Sequence, residues 1–369
     1  MRGSTRRGVL AAAGALVAGA GAAPAHQAIE AALPLREIAR RHGRFYGAAT
    51  GPRLLDQDPA FARAFAAECG VVVPEGEGKW DAIRPTPDRY DFSGLDRLIA
   101  FADAHGMGVR GHCLAWHESN PPWLEEALRA ADAAEARRLL EEHVAVVVGH
   151  TGGRVGSWDV VNEAVDVEAG PDRLRRSPWY RALGADYIDI AFHAARRADP
   201  GVQLVYNEIG TDEADEPSRR KRAATLDLLR GMRAREVPVD ALGLQAHLMA
   251  GRGIDAGELR SYIQAVAALG LGVIVTELDV WDGPLPTAVE ERDRAVGDHV
   301  RTYLEAALAE PAVMGVLTWG LSDRYFWLNT DYAAWARRPD GTPNRGLPLD
   351  RDLRRTPMWQ AIADALGRR

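Results

Sequence analysis

The stretches SWDVVNEAV, residues 157–165, and VIVTELDV, residues 273–280, each join a short β-rich run to a glutamate near its end. The two glutamates are Glu163 and Glu277. An α/β barrel carries its reacting groups at the carboxyl ends of its parallel strands. A pair of carboxylates, one protonated and one ionised, is also the minimum equipment for cleaving a glycosidic bond. The two stretches therefore predict barrel strands and make Glu163 and Glu277 candidate reacting groups.

Around these stretches, apolar β-rich runs alternate with longer amphipathic helical patterns. The predicted strands cover residues 45–49, 71–74, 108–113, 155–162, 203–207, 241–246, 273–277 and 315–320. This alternation implies parallel strands joined by right-handed crossovers. A doubly wound open sheet alternates in the same way, but it concentrates polar groups near one switch point. Here strand after strand ends in a charged, amide, His or Trp side chain, so we predict fold class α/β, a single-domain (β/α)8 TIM barrel.

The first 25 residues are predicted to precede the fold. Arg6 and Arg7 are followed by an apolar run to Ala23 that is shorter than a membrane span. The run ends in Ala23-Pro24-Ala25, a small-residue pattern suited to cleavage. We interpret residues 1–25 as a twin-arginine-type signal peptide and residues 26–369 as the catalytic barrel. This predicts a bacterial protein exported to the periplasm or the medium, with no membrane association after signal removal; a disordered basic tail is the alternative.

The charge of the chain bears on its partners. The formal net charge is −7 over 369 residues. Phosphate binding needs a concentrated basic face, so we do not expect a nucleic-acid partner. The basic run from Arg219 to Arg222 begins a helical pattern just after acidic residues. We interpret this run as a solvated helix face.

The two cysteines, Cys69 and Cys113, are predicted at opposite ends of a βα unit. This placement favours two free, buried thiols over a disulfide, although an exported protein permits one. The sequence has no zinc-type spacing of ligands, and we expect neither a metal nor a cofactor. We also expect a monomer.

The ends of the predicted strands supply a series of polar and aromatic groups. In chain order they are Glu75 and Lys79; His112, Trp116 and His117; Trp158, Asn162 and Glu163; Asn207 and Glu208; Gln245 and His247; Glu277 and Asp279; and Trp319, Asp323 and Trp327. At these strand ends the sequence resembles glycoside hydrolase family 10, the barrel xylanases. The resemblance extends from Gly47 to about Trp359. Each motif alone is weak, and the specificity comes from several motifs in the right order.

The resemblance implies a retaining endo-1,4-β-xylanase that cleaves xylan by double displacement. Glu163 matches the family's acid/base in the motif W-D-V-x-N-E, and Glu277 matches its nucleophile in T-E-L-D. We expect Glu163 to be protonated before attack because the negative charge of Glu277 favours its neutral form, and to act as a base afterwards. By the same resemblance, Asn162 bonds the sugar 2-hydroxyl in the −1 subsite. His247 orients Glu277 or modulates its charge, with Asp279 as its partner.

The resemblance also implies a set of substrate-binding residues. They are Glu75, Lys79, His112, Trp116, Gln245, Trp319 and Trp327. Tryptophan stacks on the flat C–H faces of sugars, while charged and amide groups bond the hydroxyl fringe. Ten tryptophans cannot all be ligands, so we interpret a second group as packing residues: Trp123, Trp179, Trp335 and Trp359, with Trp80 and Trp158 open to either reading.

The sequence departs from the family pattern at binding positions. The second-strand motif E-N-x-x-K-W has Gly76 in place of its amide, which removes a hydrogen bond expected at the −2 sugar. After the fifth strand, N-D-Y-N becomes Asn207-Glu208-Ile209-Gly210, so an aromatic residue is missing. The motif D-x-x-S-W becomes residues 323–327, DRYFW. These changes bear on fine specificity and leave both carboxylates in place.

Other functions are open at this stage. A related retaining β-glycanase or aryl β-glycosidase could use the same barrel. A non-catalytic carbohydrate-binding barrel would not need the paired carboxylates together with Asn162 and His247. A metal-dependent hydrolase could use His112, His117, His247 and Asp279, provided that they converge on one ion. In this chain those histidines are interleaved with tryptophans, which is typical of a sugar groove.

Overall fold

The computed structural model describes residues 33–368, so the predicted signal peptide at 1–25 lies outside the described residues. Within that range the strands are β1 Phe45–Thr50, β2 Val71–Pro74, β3 Gly108–Ala115, β4 Ser157–Asn162, β5 Gln203–Glu208, β6 Ala241–Leu244, β7 His247–Met249, β8 Gly272–Trp281 and β9 Val313–Thr318. Most begin and end within two residues of the predicted strands. The largest differences are that β8 continues to Trp281 and that the sixth predicted strand is interrupted after Leu244.

The strands form a closed parallel barrel. Strands β1 to β6 are paired in chain order, β1 also pairs with β9, and β9 pairs with β8. Pairing of β6 with β8, with Leu242 opposite Val273, closes the ring. The short strand β7 continues the line of β6 beyond the interruption and places His247 opposite Asp279. The predicted (β/α)8 barrel is therefore confirmed.

Helices surround the barrel. Those longer than eight residues are Pro59–Glu68, Ser93–His105, Pro122–Ala130, Ala133–Thr151, Asp186–Ala198, Glu216–Ala234, Ala256–Ala267, Val289–Leu308 and Pro357–Leu366, and shorter ones are Leu35–Arg41, Pro52–Gln57, Trp80–Ile83 and Pro178–Leu183. Several begin at a side chain that accepts a hydrogen bond from the first turn, as Asp58, Asp132 and Asp255 do. Between residues 33 and 368, no helix is long and apolar enough to cross a membrane.

Apolar side chains fill the barrel beneath its mouth. The interior cluster comprises Ala49, Val73, Val205, Ala241, Ile274, Leu317 and Trp319. Each strand that contributes to it alternates an inward side chain with one that packs against the helices. Trp319 covers this cluster from above and is only 9% exposed. The barrel is therefore filled with side chains, among which Arg110 and Asp159 form a buried ion pair.

The tryptophans expected to pack do so with one exception. Trp80, Trp158, Trp179 and Trp359 are buried, and Trp123 is half-buried against the same core. Trp335 was predicted to be a packing residue, and this prediction is wrong, because its side chain is 62% exposed. It lies on the short 3-10 helix Asp331–Ala336, in the long segment that follows β9. Sequence cannot distinguish a packing tryptophan from a surface one when neither lies on a periodic element.

The basic run at 219–222 is only partly solvated, so the interpretation as a solvated helix face is wrong for two of its residues. Arg222 is buried and donates to the carbonyl oxygens of Thr211 and Glu213 at 3.0 and 2.8 Å. Lys221 pairs with the buried carboxylate of Glu208 at 3.0 Å. These two cations secure the loop after β5.

Cys69 and Cys113 are both free and buried, as predicted.

A buried ion cluster fixes the long segment after β9 to the barrel. Asp282, just beyond β8, has no exposed surface and accepts a hydrogen bond from Arg292 Nε at 2.9 Å. Arg292 also donates to the carbonyl oxygen of Pro343 at 2.8 Å. Arg338, within the segment, lies with its guanidinium 3.6 Å from Asp282 and donates to the carbonyl oxygen of Leu285. The segment is thus held through charges that have no access to water.

Replacing Arg292 with alanine tests this anchor. Loss of one partner leaves the Asp282 carboxylate buried with incomplete compensation, which typically costs about 3–5 kcal/mol. We expect Arg292→Ala to lower the free energy of unfolding by about 3 kcal/mol in chemical denaturation. Arg294→Ala, on the exposed face of the same helix, is the control and should change it by less than about 0.5 kcal/mol. Equal effects would show that the cluster does not stabilise the fold.

Candidate active site

Glu277 is the buried centre of the barrel mouth. It lies in β8, and its side chain is held at both oxygens. Asn207 Nδ2 donates to Oε1 at 2.6 Å, and His247 Nε2 lies 3.2 Å from Oε2. His112 Nδ1 lies 3.9 Å from Oε1. The carboxylate therefore faces one amide and two imidazoles.

These neighbours keep Glu277 ionised. Burial alone would raise the pKa of its carboxyl group. The hydrogen bond from His247, the positive charges of His112 and His247 and the bond from Asn207 outweigh burial and lower that pKa to about 2. Removing a charge from water is costly unless charged partners and hydrogen bonds compensate. Glu277 is therefore an anion across the ordinary pH range.

His247 is held as a cation. Its Nδ1 lies 2.8 Å from Asp279 Oδ1, and its Nε2 faces Glu277. Burial opposes protonation, but these two carboxylates raise the pKa of His247 well above its ordinary value. Because both ring nitrogens face carboxylate oxygens, both must carry hydrogens. Trp327 Nε1 donates to the other oxygen of Asp279 at 2.6 Å and fixes the orientation of this partner.

His112 approaches Glu277 from the opposite side and is also charged. Its Nδ1 lies 3.0 Å from Asp159 Oδ2, and Asp159 in turn forms a buried ion pair with Arg110. Burial would lower the pKa of His112. Contributions from Cys113, Asp159 and Glu277 outweigh burial and raise that pKa to about 10. The two imidazolium groups thus flank the same carboxylate.

Glu163 follows β4 in a conformation that its sequence does not suggest. Its φ is +56°, in the left-handed region that non-glycine residues seldom adopt. The backbone is held there by a bond from Glu163 N to the carbonyl oxygen of Asn207 at 2.9 Å and by Arg175 Nε, which donates to the Glu163 carbonyl oxygen at 3.0 Å. The side chain accepts from Gln245 Nε2 at 3.0 Å and from Asn162 Nδ2 at 3.3 Å. The strained backbone turns this carboxyl group into the mouth.

A network of amides joins the two glutamates. Asn207 donates through Nδ2 to Asn162 Oδ1 at 2.8 Å as well as to Glu277. Gln245 Nε2 lies 3.2 Å from the same Asn162 oxygen and bonds Glu163. The structure therefore brings Asn162, Gln245 and both carboxylates together in one hydrogen-bonded group.

The sequence places Asn207 at a strand end but predicts no role for it in the site. Its register position opposite Asn162 is the signal that could have found it, and register is not visible in a single sequence. Thr276 donates to Asn207 Oδ1 at 2.7 Å and so directs the Nδ2 group towards Glu277. Gly243, on the neighbouring strand, leaves room for this side chain, because a Cβ atom there would overlap with the amide oxygen.

The sequence likewise offers His117 only as a ligand in the metal-dependent alternative, and the structure places it beside Glu163. Its Nδ1 lies 3.8 Å from Glu163 Oε2, and its Nε2 lies 3.4 Å from Glu118 Oε1. Burial, aided by the charge of Arg175, lowers the pKa of His117 to about 4. It is therefore neutral, unlike the two imidazoles beside Glu277.

Aromatic and cationic side chains wall the space beside the carboxylates. Lys79 Nζ lies 4.9 Å from the ring centroid of Trp116 and 5.8 Å from that of Trp319. The Trp319 ring lies edge-on to His112 at 5.1 Å, and the Trp327 ring lies edge-on to His247 at 5.6 Å. Trp116 Nε1 is buried and has no hydrogen-bond partner within the described residues. The walls thus combine flat apolar faces with a cation and one unpaired indole N–H, a combination suited to a sugar.

Glu75 and Gly76 lie near this wall, in the loop after β2. Burial raises the pKa of Glu75, an effect that Lys79 opposes and Glu77 reinforces. Gly76 has open space around the position of a Cβ atom, and its φ is not in the left-handed region. A larger side chain can therefore be accommodated at position 76.

Two other strand-end carboxylates turn away from the mouth. Glu208 accepts hydrogen bonds from the backbone of Val165 and Ile209, each at 3.0 Å. Asp323 accepts from the backbone nitrogens of Gly346 and Leu347, each at 3.1 Å. These residues shape the loops, and the structure does not place them with the other polar groups.

The histidines proposed as metal ligands do not converge. His112 is directed at Asp159, His247 at Asp279 and Glu277, and His117 lies beside Glu163. Over residues 33–368 no group of three or more His, Cys, Asp or Glu is arranged to hold a metal ion.

Known proteins resemble the chain along nearly its full length. The model of glycosyl hydrolase family 10 matches residues 34–365. Endo-1,4-beta-xylanase B of Thermotoga neapolitana is 33% identical, and the match covers 90% of this chain and 92% of that protein. An endo-1,4-beta-xylanase of Agaricus bisporus is 30% identical over 89% of this chain and 93% of that protein.

Solved structures agree with the barrel. Native xylanase 10B from Thermotoga maritima superposes with a TM-score of 0.81 at 31% identity, covering 90% of this chain and 98% of that one. Xylanase 10B from Thermotoga petrophila, in complex with xylobiose, also has a TM-score of 0.81, at 30% identity, with 90% and 97% covered. The family match spans nearly all of the described residues, and the chain therefore belongs to glycosyl hydrolase family 10.

Proposed function

We propose that the protein is a retaining endo-1,4-β-xylanase, with Glu277 as the nucleophile and Glu163 as the acid/base. The proposal rests on one observation: two carboxyl groups in the same hydrogen-bonded network have different electrostatic environments. Glu277 is buried and held as an anion by His112 and His247, whereas Glu163 is half-buried, accepts hydrogen bonds from the amides of Gln245 and Asn162, and lies beside the neutral His117. Retaining glycosidases need this division into one permanent anion and one proton donor.

In the first step a carboxylate oxygen of Glu277 bonds the anomeric carbon while Glu163 donates its proton to the glycosidic oxygen. The bond from the anomeric carbon to that oxygen breaks, and the aglycone leaves with the proton. Asn162 is placed between the two carboxyl groups by its bonds to Asn207 and Gln245. We assign its amide to the sugar hydroxyl next to the reacting carbon, where a hydrogen bond strengthens as positive charge develops.

In the second step Glu163 takes a proton from water, which attacks the same carbon and releases Glu277. Formation of the ester has removed the charge of Glu277 and left His112 and His247 without their shared anion. This uncompensated positive charge lies close to the reacting carbon at the time when Glu163 must act as a base.

The substrate class follows from the wall residues and the family. Lys79, Trp116, Trp319 and Trp327 offer ring faces and charge to a pyranose, and we assign them to the glycone subsites together with Glu75 and Gln245. Xylobiose is bound by the related Thermotoga petrophila enzyme. This supports xylan and xylo-oligosaccharides as substrates.

We also propose that residues 1–25 direct export by the twin-arginine route and that the exported enzyme is a monomer. The support is the arginine pair at Arg6-Arg7, the apolar run and the small residues before the barrel. Replacement of both arginines by lysine should keep the enzyme in the cytoplasm, and gel filtration of the exported form should give the mass of a single chain.

The carboxylate roles are tested by leaving-group dependence. Glu277→Ala should abolish turnover of all substrates because no ester can form. Glu163→Ala should mainly affect substrates with poor leaving groups, and azide should restore turnover of an activated aryl xyloside. Glu168→Ala, an exposed carboxylate in the loop after β4, is the control and should retain activity. Identical behaviour of the two glutamate variants on every leaving group would refute the assignment.

The charge of His247 predicts a pH effect. The pKa of Glu277 is about 2, so the nucleophile stays ionised in the wild type until the pH falls to that value. In His247→Asn the cation and its hydrogen bond are lost, so less opposes the effect of burial on Glu277 and the pKa of Glu277 rises. The acidic limb of kcat/KM should move upward by about one to three pH units. His193→Asn, on an exposed helix face, should leave the limb in place. An unmoved limb in His247→Asn would contradict the mechanism.

Restoring the amide at position 76 tests the −2 assignment. The open space around Gly76 allows Gly76→Asn without strain. One recovered hydrogen bond is worth about 0.5–1.5 kcal/mol, so kcat/KM on xylotriose should rise roughly threefold to tenfold. An aryl xyloside that occupies only the −1 subsite should change little, and Gly76→Ala provides the backbone control. Equal gains on both substrates would remove Gly76 from the −2 subsite.

A further inference from the structure

The glycone space has a rim that is closed by contacts between side chains. Each side chain in this rim contacts the next one through a ring contact, a cation–ring contact, a polar contact or a hydrogen bond. The members are Lys79, Trp116, His117, Glu118, Tyr332, Trp327, His247 and Trp319. His112 lies below this rim, 5.1 Å from Trp319 and 6.3 Å from Trp116 between ring centroids. The site is thus a cup with Glu277 at its floor.

One contact closes the rim between two distant loops. Tyr332 hydroxyl donates to Glu118 Oε2 at 2.8 Å. Glu118 follows β3, whereas Tyr332 lies on the 3-10 helix beyond β9. On one side of this hydrogen bond, Glu118 contacts His117, which lies beside Glu163. On the other side, the ring centroids of Tyr332 and Trp327 are 6.1 Å apart, and Trp327 donates a hydrogen bond to Asp279. We call this Tyr332–Glu118 hydrogen bond the clasp.

The clasp is the part of the rim best placed to open. Tyr332 is 71% exposed, and the Glu118 side chain is 45% exposed. The arm that carries Tyr332 is fixed elsewhere: Trp281 Nε1 donates to the Ala336 carbonyl oxygen at 2.9 Å, and Arg338 is held in the buried ion cluster. Separation of two exposed side chains requires no movement of that anchored backbone. A single hydrogen bond between exposed groups contributes little net stability.

We propose that the clasp is a specificity-determining contact that lowers the rate of cleavage of internal segments of xylan relative to that of short oligosaccharides, within an endo-acting enzyme. This inference rests on the proposed xylanase function. A short oligosaccharide fits inside the closed rim, because its glycone ends within the cup. The chain of a polymer continues on both sides of the reacting bond, so its glycone portion must cross the rim. Crossing at Tyr332 and Glu118 breaks their hydrogen bond each time an internal segment binds.

The experiment compares kcat/KM on polymeric xylan with kcat/KM on an aryl xylobioside. Tyr332→Phe removes the hydroxyl and keeps the ring against Trp327. Glu118→Met removes the acceptor and keeps the length of the side chain. Each variant should raise the polymer-to-oligosaccharide ratio by about twofold to tenfold, the change that corresponds to one net hydrogen bond. The fall in viscosity per reducing end released should increase in parallel, because internal cleavage becomes more frequent.

Two comparisons isolate the clasp. Tyr325→Phe deletes another hydroxyl that donates to a carboxylate, Asp58, at 3.0 Å outside the rim, and it should leave the ratio unchanged. The double variant Tyr332→Phe/Glu118→Met should have the same ratio as either single variant, since both remove one shared bond. An unchanged ratio in both single variants, or multiplied effects in the double variant, overturns the inference.

The outcome also separates this inference from the function on which it rests. If the wild type hydrolyses xylan and the aryl xylobioside but the variants keep its ratio, only the clasp is refuted. If the wild type hydrolyses neither, the xylanase function fails and the inference fails with it.

Discussion

The structure of the mouth depends on keeping one carboxylate charged in a place without water. Glu277 is 4% exposed, and an unpaired anion there would take up a proton. Charged groups compensate for this burial in an alternating line: Asp159, His112, Glu277, His247 and Asp279 follow one another at 3.0, 3.9, 3.2 and 2.8 Å. Each cation lies between two anions, so neither imidazole can give up its proton cheaply. The five charged groups together, more than any one pair, keep Glu277 ionised.

Only a closed barrel can assemble this line. His112 comes from β3, Asp159 from β4, Glu277 and Asp279 from β8, and His247 from β7. In an open sheet these strands would be spread along its width, whereas closure through the β6–β8 pairing brings their ends around one opening. The interruption after β6 has a purpose in this arrangement. In the register that pairs Leu244 with Val275, residue 247 would lie opposite Leu278, and the interruption shifts this register by one residue so that His247 lies opposite Asp279.

Features that depend on position along the chain, such as the strand ends, could be predicted from the sequence. Features that depend on which residues pair across strands could not. Strand ends follow from local pattern, so the barrel and its strand-end residues could be read directly. Asn207 was missed as a bridge because its role requires knowledge of which residue lies opposite Asn162. The exposure of Trp335 and the burial of Arg222 were misjudged for different reasons. Trp335 lies outside any periodic stripe, so the sequence carries no sign of whether a distant loop covers it. Arg222 lies on the buried face of its helix with Ser218 and Thr225, but arginine is a residue type that is mostly exposed.

The site divides into a deep layer that is fully bonded and a rim that is not. In the deep layer a substitution removes a partner from a buried charge, which typically costs several kcal/mol, so little change is tolerated. At the rim, side chains are partly exposed and a lost bond can be replaced by water at about 1 kcal/mol. Gly76 and the segment that carries Tyr332 and Trp335 both lie on or beside this rim. Of the departures from the family pattern, Gly76 lies beside this rim and the stretch 323–327 ends in Trp327, which is part of it, so these two can change chain-length preference while the alternating charges around Glu277 stay intact.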